Sequence, residues 1–288
     1  MSPPSCPRNT SHAMHMPRAP WRHCLCASAL MLSGTLVQAQ DAGTASAPDA
    51  RRWSVNATLA SQYLARGMRQ SWGQPAVQAG IDYSHPQGFF LGALGSSLSP
   101  RFIDGGHMEL DLYGGYGWSA GPLNYSAGLY YYMYPGARMA ATGTRYNYGE
   151  AVLSANYQWL TVKYALTVTR DYFGYNSSTL LEGTGRHSRG SGYLDIGLNV
   201  PLAQGTELQL HYGWQRVRSF SRFNWQDVRV ALSKSLGSGW TLVGGVTCAY
   251  NSHGVYDAYT TGTPDARGRL HYSNPTRATA FVTLGTTF

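Results

Sequence analysis

The sequence predicts an all-β protein, a transmembrane antiparallel β-barrel of about twelve strands with short turns at one end and longer loops at the other. Three observations predict it. Apolar and polar residues alternate with period two through most of the chain, so each strand has two unlike faces. Tight and long connections alternate strictly along the sequence. The last strand, residues 276–288, ends on Phe288 and places Ala278, Ala280, Val282 and Leu284 on the same face, with Thr286 the exception. Ends of soluble domains usually fray. The last strand of a membrane barrel instead pairs with the first, because lipid offers no partner to an open edge. A soluble β-sandwich would alternate too, but it requires neither an even strand count nor an export signal.

The amino-terminal region reads as that signal, over residues 1–39. Arg18 and Arg22 precede the apolar run from Leu25 to Leu32, and Val37-Gln38-Ala39 supplies a small-residue cleavage site. The run is shorter than the roughly 20 residues a helix needs to cross a bilayer. The Pro-rich stretch before Met16 is long for a signal's basic region, so translation is expected to begin at Met14 or Met16. Residues 40–52, rich in Ala and small polar side chains, read as a flexible periplasmic leader. Residues 53–288 read as one barrel domain. Cys6, Cys24 and Cys26 leave with the signal, so only Cys248 remains and no disulfide within the chain is expected. Neither Cys24 nor Cys26 sits in a lipid-attachment context. Loss of Arg8, Arg18 and Arg22 leaves 19 basic against 14 acidic residues, a net charge of +5. Abundant Tyr and Gly without a long apolar run suit a barrel better than a helical membrane protein.

The strands follow in order. Trp53, Val55, Ala57, Leu59 and Tyr63 share the first outward face, and Val77, Ala79, Ile81 and Tyr83 the second. Residues 89–98 and 145–157 are strands whose outward phase is less plain. Met108, Leu110, Leu112, Tyr116 and Trp118 oppose Glu109, Asp111 and Tyr113; Leu123 to Met133 continues the alternation. Leu160, Val162, Tyr164, Leu166 and Val168 oppose Lys163 and Asp171. Leu194 to Val200, Leu208 to Trp214, Val228 to Leu232 and Trp240 to Tyr250 complete the set before the closing strand. Trp53, Trp118, Tyr125, Trp240 and Phe288 mark one aromatic girdle, and Tyr63, Tyr131, Tyr172 and Tyr250 the other. Short turns on the periplasmic side and long outer loops set the expected orientation in the outer membrane of a Gram-negative bacterium.

Several segments resemble the TorF family of outer-membrane porins. They are Ser61-Gln62-Tyr63-Leu64-Ala65-Arg66-Gly67-Met68-Arg69-Gln70-Ser71 with the strand from Pro75 to Ser84, then Glu109-Leu110-Asp111-Leu112-Tyr113-Gly114-Gly115-Tyr116. Gly128-Leu129-Tyr130-Tyr131-Tyr132-Met133-Tyr134-Pro135-Gly136 follows, with Asn147-Tyr148-Gly149-Glu150 after it. The chain departs from the pattern at Leu94, where a Trp is common, and in a long last loop. The resemblance implies an outer-membrane pore.

The inward faces carry Asp82, Glu109, Asp111, Glu150, Asp171, Asp195, Glu207 and Asp227, against the bases Lys163 and Arg229. These residues either form an acidic constriction that favours cations or pairs with basic solutes, or a salt-bridged network that plugs the bore. Eight-stranded barrels are filled and sixteen-stranded ones open, so twelve strands leave both readings standing. Glu109 and Asp111 lie about 7 Å apart on one strand face, a spacing that suits a cation as well as plain lumen polarity.

Arg66, Arg69, Arg101, Arg138, Arg145, Arg186, Arg189, Arg218, Arg222, Arg267, Arg269 and Arg277 fall in or beside the long loops. Such a rim pairs with lipopolysaccharide phosphates, the favoured reading, or gathers anionic solutes. No nucleic-acid motif accompanies it. Phe288 is expected to be read by the barrel-assembly machinery. His211 faces inward with Asp195 on the preceding strand, but no serine motif joins them, so no enzyme is expected; neither a spaced metal-ligand set nor a cofactor motif is present. The expected function is passive passage of small solutes or ions. The alternative is a non-conducting structural or adhesive barrel whose Arg-rich loops bind lipopolysaccharide or a surface partner.

Overall fold

The computed structural model describes residues 52–288. The expectations for the signal, its start site and the leader up to Arg51 lie outside the described residues. The strands are β1 (Trp53–Ala60), β2 (Leu64–Ala65), β3 (Met68–Arg69), β4 (Ala76–Ser84), β5 (Phe89–Ser97), β6 (Met108–Ala120) and β7 (Leu123–Met133). They continue as β8 (Tyr148–Tyr157), β9 (Leu160–Thr167), β10 (Gly192–Pro201), β11 (Thr206–Arg216), β12 (Trp225–Gly237), β13 (Trp240–Tyr250) and β14 (Thr279–Thr287). All except β2 and β3 form one closed antiparallel barrel of twelve strands, each paired with its sequence neighbours, and β14 returns to β1.

Alternation fixes the register. In β1, Trp53, Val55, Ala57 and Leu59 point outward, and Thr58 and Ala60 are buried inside. The same two-residue period exposes Val77, Leu91, Leu112, Leu129, Leu153, Val230, Val246 and Val282 on the outer surface. It also resolves the strands whose phase the sequence left open: Leu153 and Tyr157 face out on β8, Phe89 and Leu91 on β5. At the closure, the Phe288 amide donates to the Val55 carbonyl at 2.9 Å, so the terminal aromatic residue extends the β1–β14 ladder.

Five connections are tight. The one between β12 and β13 has Ser238 and Gly239 at φ of 50° and 80°, the left-handed pair that a two-residue hairpin needs. Six are long: loop 1 (61–75), loop 2 (98–107), loop 3 (134–147), loop 4 (168–191), loop 5 (217–224) and loop 6 (251–278). Loop 4 contains a four-residue helix, α1 (Ser177–Leu180), capped by the Asn176 side chain. The long loops close over their end of the barrel. Ile103 and Phe220 are fully buried there, together with Phe102, Tyr134, Tyr146 and Tyr256. Asp104 ties three loops together, accepting from the Ala140 amide at 2.7 Å and the Thr263 hydroxyl at 2.9 Å.

Three sequence expectations change. Tyr63 and Tyr172 are buried inside the long-loop end and do not belong to an outer girdle, because both stand beyond the last residue of their strands. Asp171 does not face inward from β9, which ends at Thr167. Its carboxylate accepts within loop 4 from the Ser188 amide and Asn176 Nδ2, both at 3.3 Å, and contacts His187 Nδ1 at 2.8 Å.

Candidate functional site

Loop 1 builds the site. It turns into the bore as the small hairpin β2–β3, with Leu64 opposite Arg69 and Ala65 opposite Met68. Arg66 and Gly67 form its tip at φ of 49° and 75°, again the left-handed pair. A side chain at Gly67 would collide with Asp227 on β12, so glycine lets the tip reach that wall. The hairpin is fixed from three sides. Gln70 N–H donates to the Tyr63 carbonyl at 2.9 Å, Arg69 N–H to the Pro275 carbonyl of loop 6 at 2.9 Å, and Ser99 N–H of loop 2 to the Gln70 carbonyl at 3.0 Å.

The tip places Arg66 across the lumen. Its guanidinium donates to Glu150 Oε2 at 2.6 Å and Oε1 at 3.1 Å, and to Gln215 Oε1 at 2.8 Å. It lies 4.4 Å from the Tyr193 ring centroid, and the Trp225 indole donates to the Arg66 carbonyl at 2.9 Å. Burial opposes the charge on Arg66, but the Glu150 carboxylate beside it holds the guanidinium well above its ordinary value. Glu150 is on β8 and Gln215 on β11, so this one side chain joins loop 1 to walls it meets only by crossing the bore. The left-handed backbone at Arg66 is uncommon for a residue that carries a Cβ, and these partners over-determine it.

Glu109 on β6 accepts from the Tyr63 hydroxyl at 2.8 Å and the Tyr134 hydroxyl at 3.0 Å. Burial, and then the charge of Glu109, push the Tyr63 phenol well above its usual value, so it remains a donor. Asp111, two residues along, is 1% exposed and neither carboxylate oxygen has a hydrogen-bond partner among the described residues. Asp82 accepts from the Tyr113 hydroxyl at 2.5 Å and from Asn56 at 3.3 Å.

A second charged group lies on the other wall. His211 Nε2 is 2.8 Å from Asp227 Oδ1, and its Nδ1 is 3.4 Å from Asp195 Oδ1. Tyr193 O–H donates to Asp227 Oδ2 at 3.0 Å. Arg229 stands opposite His211 in the β11–β12 register, and Lys163 opposite Asp195 in the β9–β10 register. Glu207 lies toward the short-turn end and accepts from Gln209 at 3.0 Å. Between the two groups is a cavity of about 90 Å³, lined by Arg66, Glu109, Lys163, Asp195, Ser126, Ser154 and rings that include Tyr130, Tyr132, Tyr148, Tyr172 and Tyr193.

Two of the rim arginines named from the sequence do not lie on the rim. Arg66 is in the bore, and Arg69 is buried against Gln62, whose Oε1 accepts from Arg69 Nε at 3.1 Å. The reason is the inward hairpin, which carries both. Arg101, Arg138, Arg145, Arg186, Arg189, Arg218, Arg222, Arg267 and Arg269 are exposed in the long loops. Tyr193, Gln215 and Trp225 were not singled out from the sequence, although each sits on the inward phase of its strand.

A family model described as a bacterial protein of unknown function, Gcw_chp, matches residues 42–288. No curated protein matches the chain. Among solved structures, the KdgM porin is 9% identical with a TM-score of 0.46, covering 82% of this chain and 98% of its own. The NanC porin gives the same four values. An anion-selective porin from Comamonas acidovorans is 16% identical with a TM-score of 0.38, covering 77% of this chain and 65% of its own. The family match takes in every barrel strand, and the chain belongs to the Gcw_chp family of bacterial proteins.

Proposed function

We propose that the protein is an outer-membrane channel of a Gram-negative bacterium for passive diffusion of small solutes or ions, described here with loop 1 folded across its bore. The observation that carries this reading is the inversion of an ordinary globular fold. Large aliphatic side chains face outward, Leu59 and Leu91 at 61% exposure and Leu129 at 64%, while Glu109, Asp111, Glu150, Lys163, Asp195, Asp227 and Arg229 face inward. Lipid covers such a belt; water would leave it as a patch far larger than soluble monomers expose. A charged interior is costly in a barrel that only needs to be filled, and useful in one that passes polar solutes.

The TorF resemblance supports the same reading. With this reading go residues 1–39 as a secretory signal and 40–52 as a periplasmic leader, the exposed loop arginines as a surface for lipopolysaccharide phosphates, and Phe288 as a residue read by the barrel-assembly machinery. A second reading, a non-conducting barrel with loops that bind lipid or a surface partner, is favoured by the Arg66–Glu150 crossing and the buried loop cluster above it. Single-channel recording of the refolded chain in planar bilayers, with ion selectivity, separates the two. Discrete current steps from the parent or from Arg66→Met support the channel. No current from either overturns it in favour of the second reading.

A further inference from the structure

Lys163 is a base in the bore whose opposing charge, on Asp195 of the next strand, acts on it without a contact ion pair. It is 8% exposed, it lines the cavity, and among the described residues it makes no hydrogen bond or ion pair. Its register neighbour Asp195 directs its carboxylate to His211, 3.4 Å away. Arg66 is engaged by Glu150, and Glu109 by two tyrosine hydroxyls. An ammonium with three donors and no acceptor, enclosed beside open space, is a site for an anion.

The strand register says what else that anion meets. Ser126, Ser154 and Lys163 stand side by side on the inner faces of β7, β8 and β9. The two serine hydroxyls are 2.9 Å apart and both line the cavity. One layer toward the long-loop end, Gly128, Val152 and Ala165 are aligned in the same way and carry no polar side chain. Glu150 lies four residues from Ser154 along β8, about 13 Å away, and Arg66 with it. The site therefore has a polar floor of one ammonium and two hydroxyls, a small apolar wall, and tyrosine rings around it.

We infer that the bore binds a small carboxylate-bearing solute with a short apolar body, its carboxylate on Lys163 and Ser154 and its body against Val152 and Ala165. This rests on the channel reading and names the solute class for it. A single carboxylate suits the cavity of about 90 Å³, and Lys163 holds it as a point charge without a guanidinium's bidentate geometry.

The test is calorimetric titration of the detergent-folded full chain with sodium butyrate, its neutral isostere butyramide, and inorganic phosphate. Butyrate is expected to bind saturably, and butyramide and phosphate at least about tenfold more weakly. Lys163→Met should abolish butyrate binding, and Ser154→Ala should weaken it, with heat-modifiable gel mobility checking that each variant folds. Ser154→Ala tests the site even if Lys163→Met does not fold. Butyrate binding unchanged in either folded variant, equal binding of butyramide, tighter binding of phosphate, or no binding overturns the inference. Bilayer recordings separate it from the channel reading. Current without butyrate binding sinks the site alone, and butyrate binding without current sinks the channel alone.

Discussion

Replacing Arg66 by Met tests whether loop 1 is held in the bore by one side chain. The variant keeps most of the stem volume but removes the paired contacts to Glu150 at 2.6 and 3.1 Å, the bond to Gln215 and the stacking on Tyr193. Glu150 then stays buried without its partner; its side chain is 0% exposed. Breaking one side of a buried pair costs roughly 3–5 kcal/mol. The inward position of loop 1 bears that cost, because withdrawal of the loop rehydrates Glu150. At about 1.4 kcal/mol per power of ten, the balance between inward and withdrawn loop shifts by roughly two to three and a half powers of ten. Two assays report it. Open probability in planar bilayers should rise, and a cysteine placed by Met68→Cys, at a site 6% exposed in the hairpin, should become reactive to a water-soluble maleimide. Glu150→Gln in the same background should recover part of the loss, since no stranded charge remains. Unchanged labelling and unchanged heat stability in Arg66→Met would refute the reasoning.

Gly67→Ala should displace the same hairpin by a steric route, since its Cβ meets Asp227 and the backbone φ is 75°; a loss of about 1–3 kcal/mol with raised maleimide reactivity at Met68→Cys is expected, and wild-type behaviour would count against the tip contact. Asp111→Asn should raise the unfolding temperature on heat-modifiable gels, because it discharges a buried carboxylate with no hydrogen-bond partner among the described residues, a gain of about 1–3 kcal/mol; a lowered temperature would mean that the charge is matched. Deleting Phe288 removes the amide bonded to Val55 at the barrel closure, so less assembled protein should reach the membrane fraction, and unchanged levels would deny the closing residue its role.

The barrel was legible because its determinants are local. Outward Val77, Ala79 and Ile81 and inward Gln78 report their faces through a two-residue period that no later packing alters. The turn ends were legible for the same reason, as at Ser238-Gly239. Residues just past a strand end were misread, because period two carries no meaning once the ladder stops. Tyr63 continues the alternation of Leu59 on paper, yet β1 ends at Ala60 and the chain turns inward. Asp171 fails likewise, four residues past Thr167.

The inward loop itself left a signal of another kind. The lumen walls near the long-loop end carry Glu109, Asp111 and Glu150, and among the described residues no barrel-strand side chain on that inner wall is basic, Arg216 facing outward; Lys163 and Arg229 stand closer to the middle of their strands. Acids crowded in a narrow bore demand a counter-charge, and when the strands do not supply it, a loop must. Loops 4 and 6 also carry arginine beside glycine, at Arg189-Gly190 and Arg267-Gly268, but at Arg66-Gly67 the pair forms a two-residue tip with left-handed backbone that approaches a wall closely. Charge balance between strands and loops therefore points to a loop arginine where hydropathy cannot, and the fold selects Arg66 among them. Among the described residues Asp111 is left without a hydrogen bond and Lys163 without a contact ion pair. Loop 1 therefore closes the bore through the contact pair of Arg66 with Glu150, and leaves Lys163 beside the cavity on the short-turn side of that crossing.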